Sequence, residues 1–319
     1  MGYHSDSINP EATEMKFATV ATGGIGGYLA VKLTQAGEDV ATLARGAHLE
    51  AIKARGLTLE TADETTTVHP RIATDDPAAI GPVDAVIFAV KAKDVERAAA
   101  SCLPLLGGET VVIPFLNGVE TVDRLAAVLP IENIANGTAK ISTTVAEPGT
   151  IRQVGGFAAF VFAERDSSQS PRIEAVRVAF ERAGVEAPVV EDIDVALWQK
   201  FCLFAPMSGV TAAARCTIGE IRKDSQLSRV FQDAIAETAV LGRALGVALP
   251  DDTESRIWES VGELPDGMRA STGIDLEAGR PLEVDWISGA VVRLSEAAGL
   301  DAPINRTLNA VLQPWKAGQ

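Results

Sequence analysis

Apolar residues follow three textures along the chain, each predicting a different kind of element. Short continuous runs at Phe17 to Val20, Asp84 to Val90 and Thr110 to Phe115 read as strands buried on both faces of a parallel sheet. Between them, Tyr28 to Gln35, His48 to Arg55 and Asp94 to Leu103 have helical spacing, the first two ended by Ala36-Gly37 and by Gly56. Asp39 to Leu43 adds a second strand, and Leu57 to Leu59 with Thr67 to Arg71 a small strand pair. Three more strands are expected near Ile134 to Ile141, Gly149 to Val154 and Phe157 to Ala163, then a helix over Pro171 to Ala183. Beyond that the texture is helical throughout: Val195 to Ala214, Ser225 to Leu245, Thr253 to Val261 and Pro281 to Ala298, broken at Gly219, Gly246 to Pro250 and Pro265 to Gly267. The pattern predicts an α/β fold class with a doubly wound sheet over residues 15–190, an all-helical domain over 191–319, and a polar, turn-rich, flexible extension over 1–14.

The stretch from Met15 to Arg45 carries the first chemical signal: strand, glycine turn, helix and strand follow without interruption. In Gly23-Gly24-Ile25-Gly26-Gly27, glycines allow a sharp bend, close approach of backbone N–H groups to a pyrophosphate, and tight packing of helix on strand. This context makes the sheet Rossmann-like and Gly23, Gly24, Ile25 and Gly26 candidate dinucleotide contacts. The first glycine of the usual pattern is Ala21, so the turn must keep Ala21 out of positive φ or be displaced. At the end of the second strand no carboxylate stands ready for a ribose hydroxyl, whereas Arg45 offers a planar donor fork to a 2′-phosphate. The expected cofactor is therefore NADPH/NADP+; the alternative reading of Arg45 is a solvated surface side chain.

Composition narrows the partners. With 43 acidic against 28 basic residues and a formal charge of −15, the chain lacks the basic face that nucleic acid requires, and an anionic substrate must meet a local cation cluster. No apolar run approaches a membrane span, and no signal peptide opens the chain, so a cytoplasmic protein is expected. Cys102, Cys202 and Cys216 have no paired spacing and His4, His48 and His69 are scattered, so neither a disulfide framework nor a metal site is expected. A homodimer through the helical half is compatible with its apolar helix faces, which a monomer would bury equally well.

Two later segments carry unusual charges. Lys200 is a lone cation inside the apolar helix Ala196 to Met207, where an ammonium is costly unless paired, used, or snorkelled to the surface. In Arg269 to Gly289, a hydroxyl and several carboxylates precede a helix read as opened by Pro281, with Glu283 in its first turn complementing the dipole. Together the glycine turn, Arg45, Ala89-Val90-Lys91, Leu116-Asn117-Gly118, Trp198-x-Lys200, Ser271-x3-Asp275 and Gly279-Arg280-Pro281-x-Glu283-x-Asp285 resemble the ketopantoate reductase family over nearly the whole chain. The resemblance implies NADPH-dependent reduction of a small-molecule 2-oxo acid, by default 2-dehydropantoate, to a 2-hydroxy acid. It implies Lys200 as general acid, with Glu283 contacting the cofactor and organising the site. Lys91 and Asn117 would contact NADPH, Asn117 also reaching the substrate, Ser271 would bind the substrate carboxylate region, and Asp275 and Ser208 would lie at the substrate. Apolar surroundings should lower the pKa of Lys200, provided Glu283 does not counteract them.

This chain departs from the family where the catalytic helix and the segment after it usually offer asparagines: Phe204, Ser208 and Ile218 stand there. An apolar pocket cannot select a hydroxylated substrate as strongly, so a bulkier or more hydrophobic 2-oxo acid is the alternative. Arg215 could clamp a carboxylate or pair with Glu220. Two further readings remain open at this level: a 3-hydroxy acid or polyol-phosphate dehydrogenase, and an NADP(H)-binding redox sensor without turnover.

Overall fold

The computed structural model describes residues 14–319, so the expected extension lies, apart from Glu14, outside the described residues. The amino-terminal half runs β1 (Lys16–Val20), α1 (Gly24–Gln35), β2 (Asp39–Leu43), α2 (Gly46–Arg55), β3 (Leu57–Glu60), β4 (Thr65–Val68), β5 (Ile72–Thr74), β6 (Ala85–Phe88), α3 (Val95–Ala100), β7 (Val111–Pro114), α4 (Thr121–Ala126), β8 (Asn136–Glu147), β9 (Thr150–Ala163) and α5 (Pro171–Arg182). The remainder is helical: α6 (Ile193–Ala213), α7 (Ile218–Lys223), α8 (Ser225–Ala244), α9 (Thr253–Glu263), α10 (Ser271–Glu277), α11 (Ser288–Ala297) and α12 (Pro303–Leu312).

Strands β5-β2-β1-β6-β7 form a wholly parallel sheet, a Rossmann-like core whose continuous apolar runs are buried on both faces. On one face Phe17, Leu29 and Ile87 pack with Phe160, Phe162 and Phe180 of β9 and α5. On the other, Val20 and Phe88 pack with Val95, Leu105 and Leu125. A second sheet, ordered β4-β3-β9-β8, lies against α1. Its long hairpin β8–β9 and helix α6 form the seam between the two halves, and α8 packs on α6 from the helical side.

Four expectations need correction. The two strands expected around Gly149 and Phe157 are one strand, β9, whose residues 154–157 bulge opposite Ser142; Gly155, at φ +75°, makes the detour. Gly219 does not break the helical pattern but lies inside α7, opened by a capping box of Thr217 and Glu220. The short helices α7, α10 and α12 were not foreseen. Pro281 opens no helix: Gly279 turns at φ +63°, and the Leu282 amide bonds Lys316 O, drawing the segment onto Leu312. Helix α11 starts only at Ser288, so Glu283 precedes a short helical turn at Val284–Trp286 instead of lying in a first α-helical turn.

Candidate active site

The glycine turn leaves β1 in the middle of the parallel sheet and enters α1, whose cap Gly23 has no side-chain partner. A Cβ on Gly26 would stand 2.0 Å from Ala21 O, so only glycine lets α1 pack this closely on the strand end. A Cβ on Gly24 would meet Thr143 of β8 at 2.7 Å. At Gly23 a Cβ would meet nothing within 4 Å, and its φ is −85°, so neither packing nor strain explains this glycine. It faces open space at the helix amino terminus, as an anion site requires. Ile25 follows in the first turn, half-buried. Ala21 avoids positive φ.

Three residues that the sequence did not single out hold this turn. Thr22 bonds Leu43 O through both its amide and its hydroxyl at 3.0 Å, and its hydroxyl lies 3.0 Å from that of Thr19. His48 accepts from the Gly149 amide at Nδ1, 3.0 Å, so its Nε2 carries the proton and donates to Thr22 O at 2.8 Å. Burial lowers the His48 pKa, which keeps this neutral tautomer. Arg45 caps α2 in extended conformation with an exposed side chain, and among the described residues it pairs with no carboxylate.

Two charged clusters join residues of the two halves. In the first, Glu283 accepts from Lys91 Nζ at 3.2 Å and from the Ala92 amide at 2.8 Å, while Asp275 lies 3.6 Å from Lys91 and 2.7 Å from Arg280. Burial opposes the charge of Lys91, but Glu283 and Asp275 outweigh it and raise the pKa. In the second, Lys200 Nζ donates to Asn117 Oδ1 at 3.0 Å, directly beyond β7. Its ammonium also lies 5.8 Å from the Phe204 ring. Burial, followed by the charge of Lys140, pulls the Lys200 pKa down to about 7. Glu283 therefore faces Lys91, not Lys200, and the general-acid candidate has no carboxylate partner among the described residues. Leu116, Gly118, Thr138, Leu197, Phe201 and Phe204 complete the cleft around it.

Of the other candidates, Ser271 stays one helical turn before Asp275 of the first cluster, and the rest fall elsewhere. Ser271 opens α10 and is exposed. Ser208 is 2% exposed and its hydroxyl lies 2.5 Å from that of Thr272, tying α6 to α10 instead of opening on the cleft. Ile218 is fully buried in the helical core. Arg215 lies past the end of α6, which is about 20 Å along the helix axis from Lys200, too far to clamp the same substrate, and Glu220 accepts from the Thr217 amide instead.

This arrangement can be set beside known proteins. The family model for ketopantoate reductase PanE/ApbA matches residues 17–167, and that for its C-terminal part matches 192–316. A 2-dehydropantoate 2-reductase of Mesorhizobium japonicum is 32% identical over 93% of this chain and 96% of its own. An uncharacterized oxidoreductase of Bacillus subtilis, YkpB, is 28% identical over 95% and 99%. The crystal structure of a PanE/ApbA family ketopantoate reductase from Ralstonia eutropha JMP134 superposes with a TM-score of 0.86 at 30% identity, covering 95% of this chain and 98% of that one. With both halves matched, in order and nearly end to end, the chain belongs to the ketopantoate reductase (PanE/ApbA) family of oxidoreductases.

Proposed function

We propose that the chain reduces a 2-oxo acid to the 2-hydroxy acid with NADPH, the default substrate being 2-dehydropantoate, the substrate named for its curated relatives. The observation that carries this reading is Lys200: an ammonium held by Asn117, with a pKa near 7, in a cleft it lines with Leu116, Thr138 and Phe204. The residues present suit the cofactor. Gly23, Gly24, Ile25 and Gly26 would hold its pyrophosphate, Arg45 its 2′-phosphate, and Lys91, Asn117 and Glu283 its remainder, and once bound it supplies the hydride. Lys200 stabilises the negative charge that develops on the substrate oxygen and then protonates it. Asn117 fixes the direction of that ammonium. Ser271 and Asp275 border the substrate, Asp275 through its hold on Lys91 and Arg280. NADPH oxidation with a panel of 2-oxo acids tests the reading; a panel without turnover refutes it.

Cofactor choice has a separate test. Arg45→Ala should raise KM for NADPH about tenfold or more while leaving KM for NADH nearly unchanged, because a charge-assisted contact to the 2′-phosphate is lost. Equal constants for both cofactors, unaltered by the substitution, would refute the NADPH assignment.

A second reading concerns the substrate. Phe204 puts an aromatic ring beside Lys200, with Leu116 and Leu197 lining the same cleft. Branched or aromatic 2-oxo acids should therefore be reduced with higher kcat/KM than 2-dehydropantoate. The opposite ranking would restore the default substrate.

A further inference from the structure

One face of β8 presents Asn136, Thr138 and Lys140 at alternate positions. Helix α6 runs along this face. Asn136 Nδ2 donates to Asp194 Oδ1 at 2.8 Å near the start of the helix, and Thr138 lines the cleft with Leu197, Lys200 and Phe204. Lys140 is next along the same face, exposed.

Two properties of this face have no explanation in the fold. Thr138 is 2% exposed, yet its hydroxyl has no hydrogen-bond partner among the described residues. A buried hydroxyl without a partner is costly, and it borders the cleft. Lys140 is paired with no carboxylate among the described residues, although its charge is felt at Lys200. Lys140 thus stands two residues beyond Thr138 on the strand face that meets Lys200, and the free hydroxyl lies on that same face, in a chain of net charge −15. A bound anion would relieve the repulsion and satisfy the hydroxyl together.

We propose that Thr138 and Lys140 form the carboxylate subsite of the substrate pocket. Lys140 Nζ pairs with the carboxylate, and the Thr138 hydroxyl donates to one of its oxygens. Lys200 is left for the carbonyl oxygen on the adjacent carbon. A 2-oxo acid carries these two groups on adjacent carbons, and Thr138, which lines the cleft with Lys200, joins the two contacts. Ser271, by family resemblance expected at the substrate carboxylate, supplies only a neutral hydroxyl, whereas β8 supplies the charge. The inference rests on the 2-oxo acid reading and adds its anchoring residues.

The test compares the full-length wild type with Lys140→Met, Lys140→Arg and Thr138→Val, using a 2-oxo acid and its methyl ester. Losing a charge-assisted contact should raise KM for the acid about tenfold or more in Lys140→Met and several-fold in Thr138→Val. Lys140→Arg should restore most of the loss, and KM for NADPH should not move. Measured well below pH 7, where Lys200 is protonated in every variant, kcat/KM for the ester should fall far less than that for the acid, a selectivity that a merely structural role would not produce. The alkaline limb of the Lys140→Met pH profile should shift upward, since one charge depressing Lys200 is gone. Equal losses for acid and ester, or no loss in Lys140→Met, overturn the subsite. Calorimetric titration with oxamate, an unreactive 2-oxo acid analogue, separates this proposal from the functional one. Oxamate binding lost in Lys140→Met supports the subsite even without turnover, whereas binding equal in both proteins, or undetectable in the wild type, overturns it.

Discussion

Lys200→Ala should lower kcat by about a hundredfold or more, the usual size of a general-acid contribution. The expectation follows from where the fold puts the group. Its pKa is pulled to about 7 by burial and by Lys140, and its partner Asn117 has no charge to hold the proton. A general acid must be protonated to act, so reduction should run at full rate below pH 7 and fall as the pH rises through that value. The variant should lose this limb together with the rate. Lys200→Arg makes a sharper control: a guanidinium keeps the charge but does not release its proton near neutrality, so it should not restore turnover. A Lys200→Ala enzyme within a few-fold of wild type, with the limb intact, would remove Lys200 from the mechanism.

Gly26→Ala should be the most damaging change in the cofactor half. Its methyl group would stand 2.0 Å from a backbone carbonyl oxygen, so strand end and helix must separate. Overpacking of this kind costs about 1–3 kcal/mol or more. Thermal denaturation should show a fall in Tm of several degrees, and NADPH affinity should fall with it. Gly23→Ala separates the two effects, because its methyl group meets no atom of the protein. It should leave Tm unchanged and still weaken NADPH binding, since the space it fills is the space at the amino terminus of α1. A Gly23→Ala protein with full NADPH affinity would show that the cofactor does not approach this turn.

How far the sequence could be read depends on the range of the interactions involved. The parallel sheet was legible because strands buried on both faces leave continuous apolar runs, and Lys200 because it is the lone cation in an apolar helix. Helices α7 and α10 were not, because six or seven residues are too few to display a period. Glu283 was placed in the wrong local structure because its position depends on the bond between Leu282 and Lys316, contacts that no local pattern encodes. Thr138 and Lys140 went unnoticed for a related reason. An alternating strand reveals which residues share a face, but not that a helix from the other half of the chain lies along it.

Helix α6 touches β8 on one side and α8 on the other, so it belongs to both halves at once. Other links between the halves, such as Lys91 to Glu283, Glu120 to Arg293 and Arg124 stacked on Trp286, lie apart from this seam and are ionic or cation–π in kind. Mechanically, this layout would act as a door hinged along α6 and latched at those ion pairs. Points on a hinge pin move least. Opening the cleft to exchange a nucleotide would swing Glu283 and Asp275 through the largest arc, while Lys200 and Asn117 would stay in register throughout.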